Sequence, residues 1–121
     1  MEKRILIVDD DDHLRDMLSL YIDYEDGFEV AGTAADAAEA TALALRLRPD
    51  AIVLDHHMPG VDGIAAIPAL RDAVPDARIV MFSANDDGKA FAAAMASGAA
   101  GYVTKNGQQG LDDVLRLLRA S

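Results

Sequence analysis

The 121-residue chain contains no cysteine and no tryptophan. Without thiols it can form no disulfide, no thiolate metal centre and no cysteine nucleophile, so any metal must be held by oxygen or imidazole. Basic residues are scarce: 11 Lys and Arg stand against 21 Asp and Glu, a formal net charge of −10. Such a surface repels a phosphate backbone, which argues against direct nucleic-acid binding by this chain. No apolar run approaches the roughly 20 residues of a membrane span. The short apolar stretch near the start, Ile5 to Val8, runs at once into aspartates, unlike a signal peptide. A soluble, cytoplasmic protein with no membrane partner is expected. Low-complexity linkers and internal repeats are also missing, and the length suits one domain over residues 1–121 with no room for a second catalytic one. At 51% hydrophobic, the chain can bury a core rather than remain disordered.

What is present is an alternation. Short apolar runs of β type, "RILIVDD", "FEVAGTA", "AIVLD", "RIVMFSA" and "AGYVTK", alternate with segments of helical periodicity, "HLRDMLSLYIDY", "DAAEATALALRLR", "IAAIPALRDAV", "GKAFAAAMASG" and "GLDDVLRLLRA". The first helix sets Leu14, Met17, Leu18, Tyr21 and Ile22 on one face, and the last sets Leu111, Val114, Leu115 and Leu118 inward. Parallel neighbours need crossover connections, so the pattern predicts an α/β fold with an open five-stranded parallel sheet covered on both faces. Pro68 falls inside the third helix and predicts that it starts late or bends there. Gly98 and Gly101 bracket the turn into the last strand, as positive φ or close packing would require.

In such sheets ligands collect at the carboxyl ends of the strands. Strand one ends in Asp9 and Asp10, strand three in Asp55, strand four in Ser83, and Lys105 closes strand five. Two like charges about 4 Å apart repel by roughly 4 kcal/mol at the effective dielectric of a protein surface, so a cation must offset them. Oxygen ligands favour a hard divalent ion such as Mg2+, and Lys105 supplies a fixed positive charge. Asp11 and Asp12 read as a solvated run capping the first helix, Asp62 as an N-cap and Gly63 as a turn residue. The stretch "AIVLDHHMPGVDG" leaves two readings of its polar centre. Asp55 is a lone reactive carboxylate, or it joins His56 and His57 in a metal cluster.

The motifs "ILIVDDD", "VLDHHMPGVDG", "IVMFSA" and "GAAGYVTK", in that order, resemble the response-regulator receiver domains of two-component signalling, over essentially the whole chain. The likeness is greatest to receivers that precede a helix-turn-helix output domain. It implies a doubly wound, flavodoxin-like sheet of order 2-1-3-4-5. It implies that Asp55 accepts phosphate from a sensor histidine kinase or phosphotransfer protein. Asp10, Asp55 and the backbone carbonyl of His57 would bind Mg2+, with Mn2+ the second choice, and Asp9 would assist through water. Ser83 and Lys105 would bind the phosphoryl oxygens, and Tyr102 would rotate inward as Ser83 moves. His57 and Asn85 stand where relatives tune dephosphorylation. The family further implies a receiver that is no enzyme toward other substrates, with phosphorylation-dependent homodimers through the fourth and fifth helices. Whether an output domain follows is left open. Two departures stand out: Asn106 replaces the proline many receivers carry after the lysine, so its cis peptide is not assumed, and His56 replaces an aliphatic residue.

Three rivals are weaker. The Asp-His-His phosphoesterases need further aspartate motifs and a larger two-part architecture. A pseudo-receiver interaction module would be free to lose Asp10, Asp55, Ser83 and Lys105. A flavodoxin-like nucleotide binder needs donors in the first loop, where "DDDD" is acidic.

Overall fold

β1 (Lys3–Val8) is apolar on both faces because it lies between two other strands and between two layers of helix. In the computed structural model, which describes residues 2–84 and 87–120, the elements follow in strict alternation. α1 (Asp12–Tyr24), β2 (Phe28–Ala34), α2 (Ala37–Leu47), β3 (Ala51–Leu54), α3 (Gly63–Ala73), β4 (Arg78–Ser83), α4 (Gly88–Ser97), β5 (Gly101–Thr104) and α5 (Gly107–Arg119) complete the chain. The strands form one parallel sheet of order β2-β1-β3-β4-β5, as expected. Ile5 pairs with Val30 and Leu6 with Gly32, so Ala31 is an extra residue that bulges β2.

The two-residue period of the strands feeds two cores. Leu6, Val8, Ile52, Leu54, Ile79 and Met81 pack with α2, α3 and α4, through residues such as Ala44, Leu70 and Ala94. Ile5, Ile7, Val53, Val80, Phe82 and Val103 pack with Leu18 and Ile22 of α1 and Val114, Leu115 and Leu118 of α5. The expected inward set of α5 is thus largely observed, with Leu111 partly buried against the same core. In α1 the apolar stripe is narrower than expected. Met17 is 43% exposed and lines a groove between α1 and α5 with Leu14, Phe82 and Leu111, because Leu18 and Ile22 already fill the sheet-facing side.

Four of the 21 acidic residues cap helix starts. Asp11, Asp36, Asp62 and Asp87 N-cap α1, α2, α3 and α4, their side chains accepting backbone N–H bonds of the first turn. Basic residues serve the opposite ends: Lys3 Nζ donates to the carbonyls of Leu118 at 2.8 Å and Arg119 at 3.1 Å, and Arg48 donates to the Ala73 carbonyl at 3.0 Å. The expectation that Pro68 delays α3 is corrected. The Asp62 cap starts the helix at Gly63, five residues earlier, and Pro68 lies on the exposed side, where the carbonyl left without its donor can turn to water. Gly98 ends α4 with φ 112°, and a Cβ on Gly101 would lie 2.6 Å from Leu117, so both glycines are required as expected.

Gly63 departs from its expected role as a turn residue. It is the first residue of α3 without positive φ, and a Cβ there would lie 1.9 Å from the backbone oxygen of Asp55. The glycine lets the start of α3 press onto the end of β3, a contact closed by the Gly63 N–H donating to the His56 carbonyl at 2.7 Å. Gly63→Ala is therefore expected to cost about 3 kcal/mol in urea unfolding, an overpacking penalty. Gly60→Ala, at φ 80° but in open space, is expected to cost only about 1 kcal/mol. The reverse ranking would mean that the helix does not close on the strand in this way.

Candidate functional site

The order of the sheet sends the connections of β1 and β3 away from each other, leaving a crevice at their carboxyl ends. The ladder carries into the first residues beyond the strands. The Asp9 N–H donates to the Ala34 carbonyl at 3.0 Å, and the Asp55 N–H donates to the Val8 carbonyl at 2.9 Å. These bonds fix two carboxylates side by side at the rim, Asp9 2% and Asp55 6% exposed, with Asp10 exposed beside them. Each of the three offers a carboxylate oxygen within 4.8 Å of the others. Lys105 arrives from the far edge through its N–H, which donates to the Ser83 carbonyl at 2.7 Å. Its ammonium donates to Asp9 Oδ2 at 2.9 Å and to Asp55 Oδ1 at 3.2 Å. The peptide bond between Lys105 and the N-cap residue Asn106 of α5 is trans.

Burial is the chief reason that Asp55 resists ionisation, with the negative charge of Asp9 adding to it and Lys105 only partly opposing. Its pKa is raised to about 6. Burial pulls Lys105 the other way, but its hydrogen bond to Asp9 and the charge of Asp55 outweigh that, and the ammonium is held above its ordinary value. Three carboxylates against one ammonium leave negative charge to be balanced. A hard divalent cation fits this oxygen-only set, and exposed Asp10 leaves it a solvent side, as suits Mg2+, which keeps part of its water shell.

The remaining predicted residues are distributed around this centre. Ser83 is fully buried at the end of β4. Tyr102 is half-buried on β5, its ring meeting Phe91 of α4 edge-on with centroids 6.1 Å apart. Asn85 lies outside the described residues. His57 is exposed, and its ring stacks on His56 at 4.1 Å. Burial, then the neighbouring His57, hold the His56 imidazole below its ordinary pKa, and its Nδ1 is buried without a partner. Stacked rings aim their in-plane lone pairs past one another, so the pair does not converge on one ion. Among the described residues, the group able to hold a metal is Asp9, Asp10 and Asp55.

The sequence reading missed Arg15. Its guanidinium reaches back from α1 to donate to the Asp9 carbonyl at 2.6 Å and also pairs with Asp12. The signal available was an arginine one turn into a predicted helix whose start is otherwise acidic. Phe91, 49% exposed against Tyr102, was missed as well, since an alanine-rich helix gives no sign of which way its one aromatic points.

The family model for the response regulator receiver domain matches residues 5–116. The chain belongs to the response regulator receiver family. The receiver is 36% identical over 104 residues to the oxygen regulatory protein NreC of Staphylococcus epidermidis, covering 85% of this chain and 48% of that protein. It thus spans only about half the length of that curated relative. A solved LuxR-family two-component response regulator from Aurantimonas superposes with TM-score 0.89 at 36% identity, over 99% of this chain and 84% of that one. The CheX-CheY-BeF3-Mg2+ complex from Borrelia burgdorferi matches with TM-score 0.88 at 27% identity, over 98% and 87%. These likenesses bear out the expected kinship with helix-turn-helix regulators. The family match stands against the Asp-His-His phosphoesterase reading.

The elevated pKa of Asp55 carries a consequence for stability. A carboxylate whose folded value exceeds its ordinary 3.8 costs nothing below that value, where both states are protonated, and the cost grows as pH rises through about 6. At neutral pH it is on the order of 3 kcal/mol. With divalent ions removed by chelator, Asp55→Asn is expected to raise the thermal midpoint by several degrees at about pH 7.5. The difference should vanish below about pH 4, as followed by circular dichroism.

Proposed function

We propose that this receiver is a phosphoacceptor in which Asp55 takes a phosphoryl group from a phosphohistidine of a sensor histidine kinase or phosphotransfer protein. The observation that carries the reading is the convergence of three carboxylates and one ammonium at the ends of β1, β3 and β5. An Asp55 oxygen attacks phosphorus, the new O–P bond forms as the N–P bond of the donor breaks, and the imidazole leaves with the electron pair. The Lys105 ammonium exchanges one of its carboxylate partners for a phosphoryl oxygen. Asp10, Asp55 and the His57 carbonyl would hold Mg2+ directly and Asp9 through water. When bound, the ion neutralises charge on the transferring phosphoryl group. The Borrelia relative's complex with BeF3 and Mg2+ supports that choice of metal.

Ser83, buried at the rim, is the donor for a further phosphoryl oxygen once it moves, and Tyr102 follows inward, leaving Phe91. The new charge biases this two-state arrangement only through contacts that one state makes better. His57 sits over the mouth as the residue that tunes loss of the phosphoryl group. Residues 1–121 act as one receiver, in the cytoplasm, passing the switch to an output domain or partner. Two phosphorylated copies pair through α4 and α5. The acidic surface is unsuited to direct nucleic-acid contact by this chain.

Acetyl phosphate with Mg2+ is expected to add one phosphate to the wild-type chain and none to Asp55→Asn, read by intact mass. Equal labelling of both would remove Asp55 as acceptor, and no labelling with any donor would favour a pseudo-receiver that works by binding alone.

A further inference from the structure

The carbonyl that Arg15 holds belongs to the peptide plane joining Asp9 to Asp10. The two carboxylates hang from opposite ends of that plane, so its orientation sets the angle between them. Apart from Arg15, the hydrogen bonds on this turn among the described residues are the strand bond of the Asp9 N–H to Ala34, the Asp11 N–H, which donates to Asp9 Oδ1 at 2.9 Å, and the Lys105 ammonium, which donates to Asp9 Oδ2 at 2.9 Å. None of them touches the Asp9 carbonyl. Arg15 is itself set firmly: it lies one turn into α1, its N–H donating to the Asp11 carbonyl at 3.0 Å. Its side chain is only 17% exposed, although Asp12, which it also pairs with, is 82% exposed. One guanidinium thus clamps both ends of the loop from Asp9 to Asp12, a task for its two-pronged planar geometry rather than for positive charge alone.

We infer that Arg15 is a positioning residue that makes the Asp9–Asp10 turn rigid enough to prefer Mg2+ over Ca2+. Mg2+ demands a near-ideal octahedron at short distances, whereas Ca2+ accepts more ligands in looser geometry, so a stiff carboxylate pair favours the smaller ion and a loose one does not. Arg15 touches no ion itself. It acts through the Asp9 carbonyl as an outer partner that orients ligands. The inference rests on the reading that the three carboxylates hold a divalent cation. It extends that reading to how the ion is chosen.

Charge and geometry predict opposite results. If Arg15 contributed only a positive charge beside the pocket, removing it would tighten every divalent cation, and lysine would substitute for it. As a clamp, it is expected to lose function in both Arg15→Lys and Arg15→Gln. The test is calorimetric titration of the whole chain with MgCl2 and, separately, with CaCl2, the thermal midpoint in chelator serving as control for folding. Both variants are expected to weaken Mg2+ binding roughly tenfold and Ca2+ binding by less than about threefold, so that the preference collapses. The inference is overturned if Arg15→Lys retains wild-type preference, if Arg15→Gln tightens Mg2+, or if the two ions weaken in parallel. Failure of the wild-type chain to bind either ion would instead remove the cation reading on which it stands.

Discussion

Three carboxylates held at the ends of neighbouring strands repel one another, and the two bonds of the Lys105 ammonium to Asp9 and Asp55 offset part of that repulsion. The rest of the site depends on that unequal balance. Because one ammonium cannot neutralise three anions, the pocket retains an appetite for positive charge. The share left on Asp55, buried and beside Asp9, surfaces as its reluctance to lose a proton. A fold selected for stability alone would replace one of these aspartates. Retaining them is the kind of local conflict that marks a working site.

The backbone supplies the precision. Strand pairing sets the roots of Asp9 and Asp55, and the close seat of Gly63 on the Asp55 carbonyl fixes how the chain leaves β3. Between these anchors run residues His56 to Asp62, with His57 exposed and His56 half-buried, their rings stacked. Across the sheet, the polar bond of Tyr21 to Asp112 and the ion pair of Glu25 with Arg119 tie α1 to α5, leaving α4 as the helix with fewer such ties among the described residues. The exposed contact of Phe91 with Tyr102 lies on that less tethered side.

Much of this was legible in the letters. Strands covered on both faces must be apolar throughout, so Ile5–Val8 and Ala51–Leu54 stood out as strands, and the first polar residue after each marked the rim. Asp62 could be read as a cap because its side chain serves amides within one turn. The misses share a cause: each depends on a neighbour remote in sequence or on the direction of a side chain. Gly63 looked like a turn glycine because nothing near it reveals an approaching carbonyl. Met17 had the right spacing for the core, but Leu18 and Ile22 alone suffice to cover the sheet. Pro68 looked disruptive because its exposure, and the strength of the cap before it, could not be read locally. Arg15 was passed over since its partner is a main-chain oxygen, which carries no letter.

The pairing of β1 with both β2 and β3 has a cost in time. During synthesis β1, α1 and β2 emerge first, and the third strand that must cover the other edge of β1 comes only after another whole helix. Until then Ile5 to Val8 offer a bare, sticky margin to any passing chain. Lys3 and Arg4 before it and the run of aspartates after it are the charged flanks that discourage such mispairing. The same aspartates that line the rim are thus also the charged flank of a strand that is exposed early in synthesis.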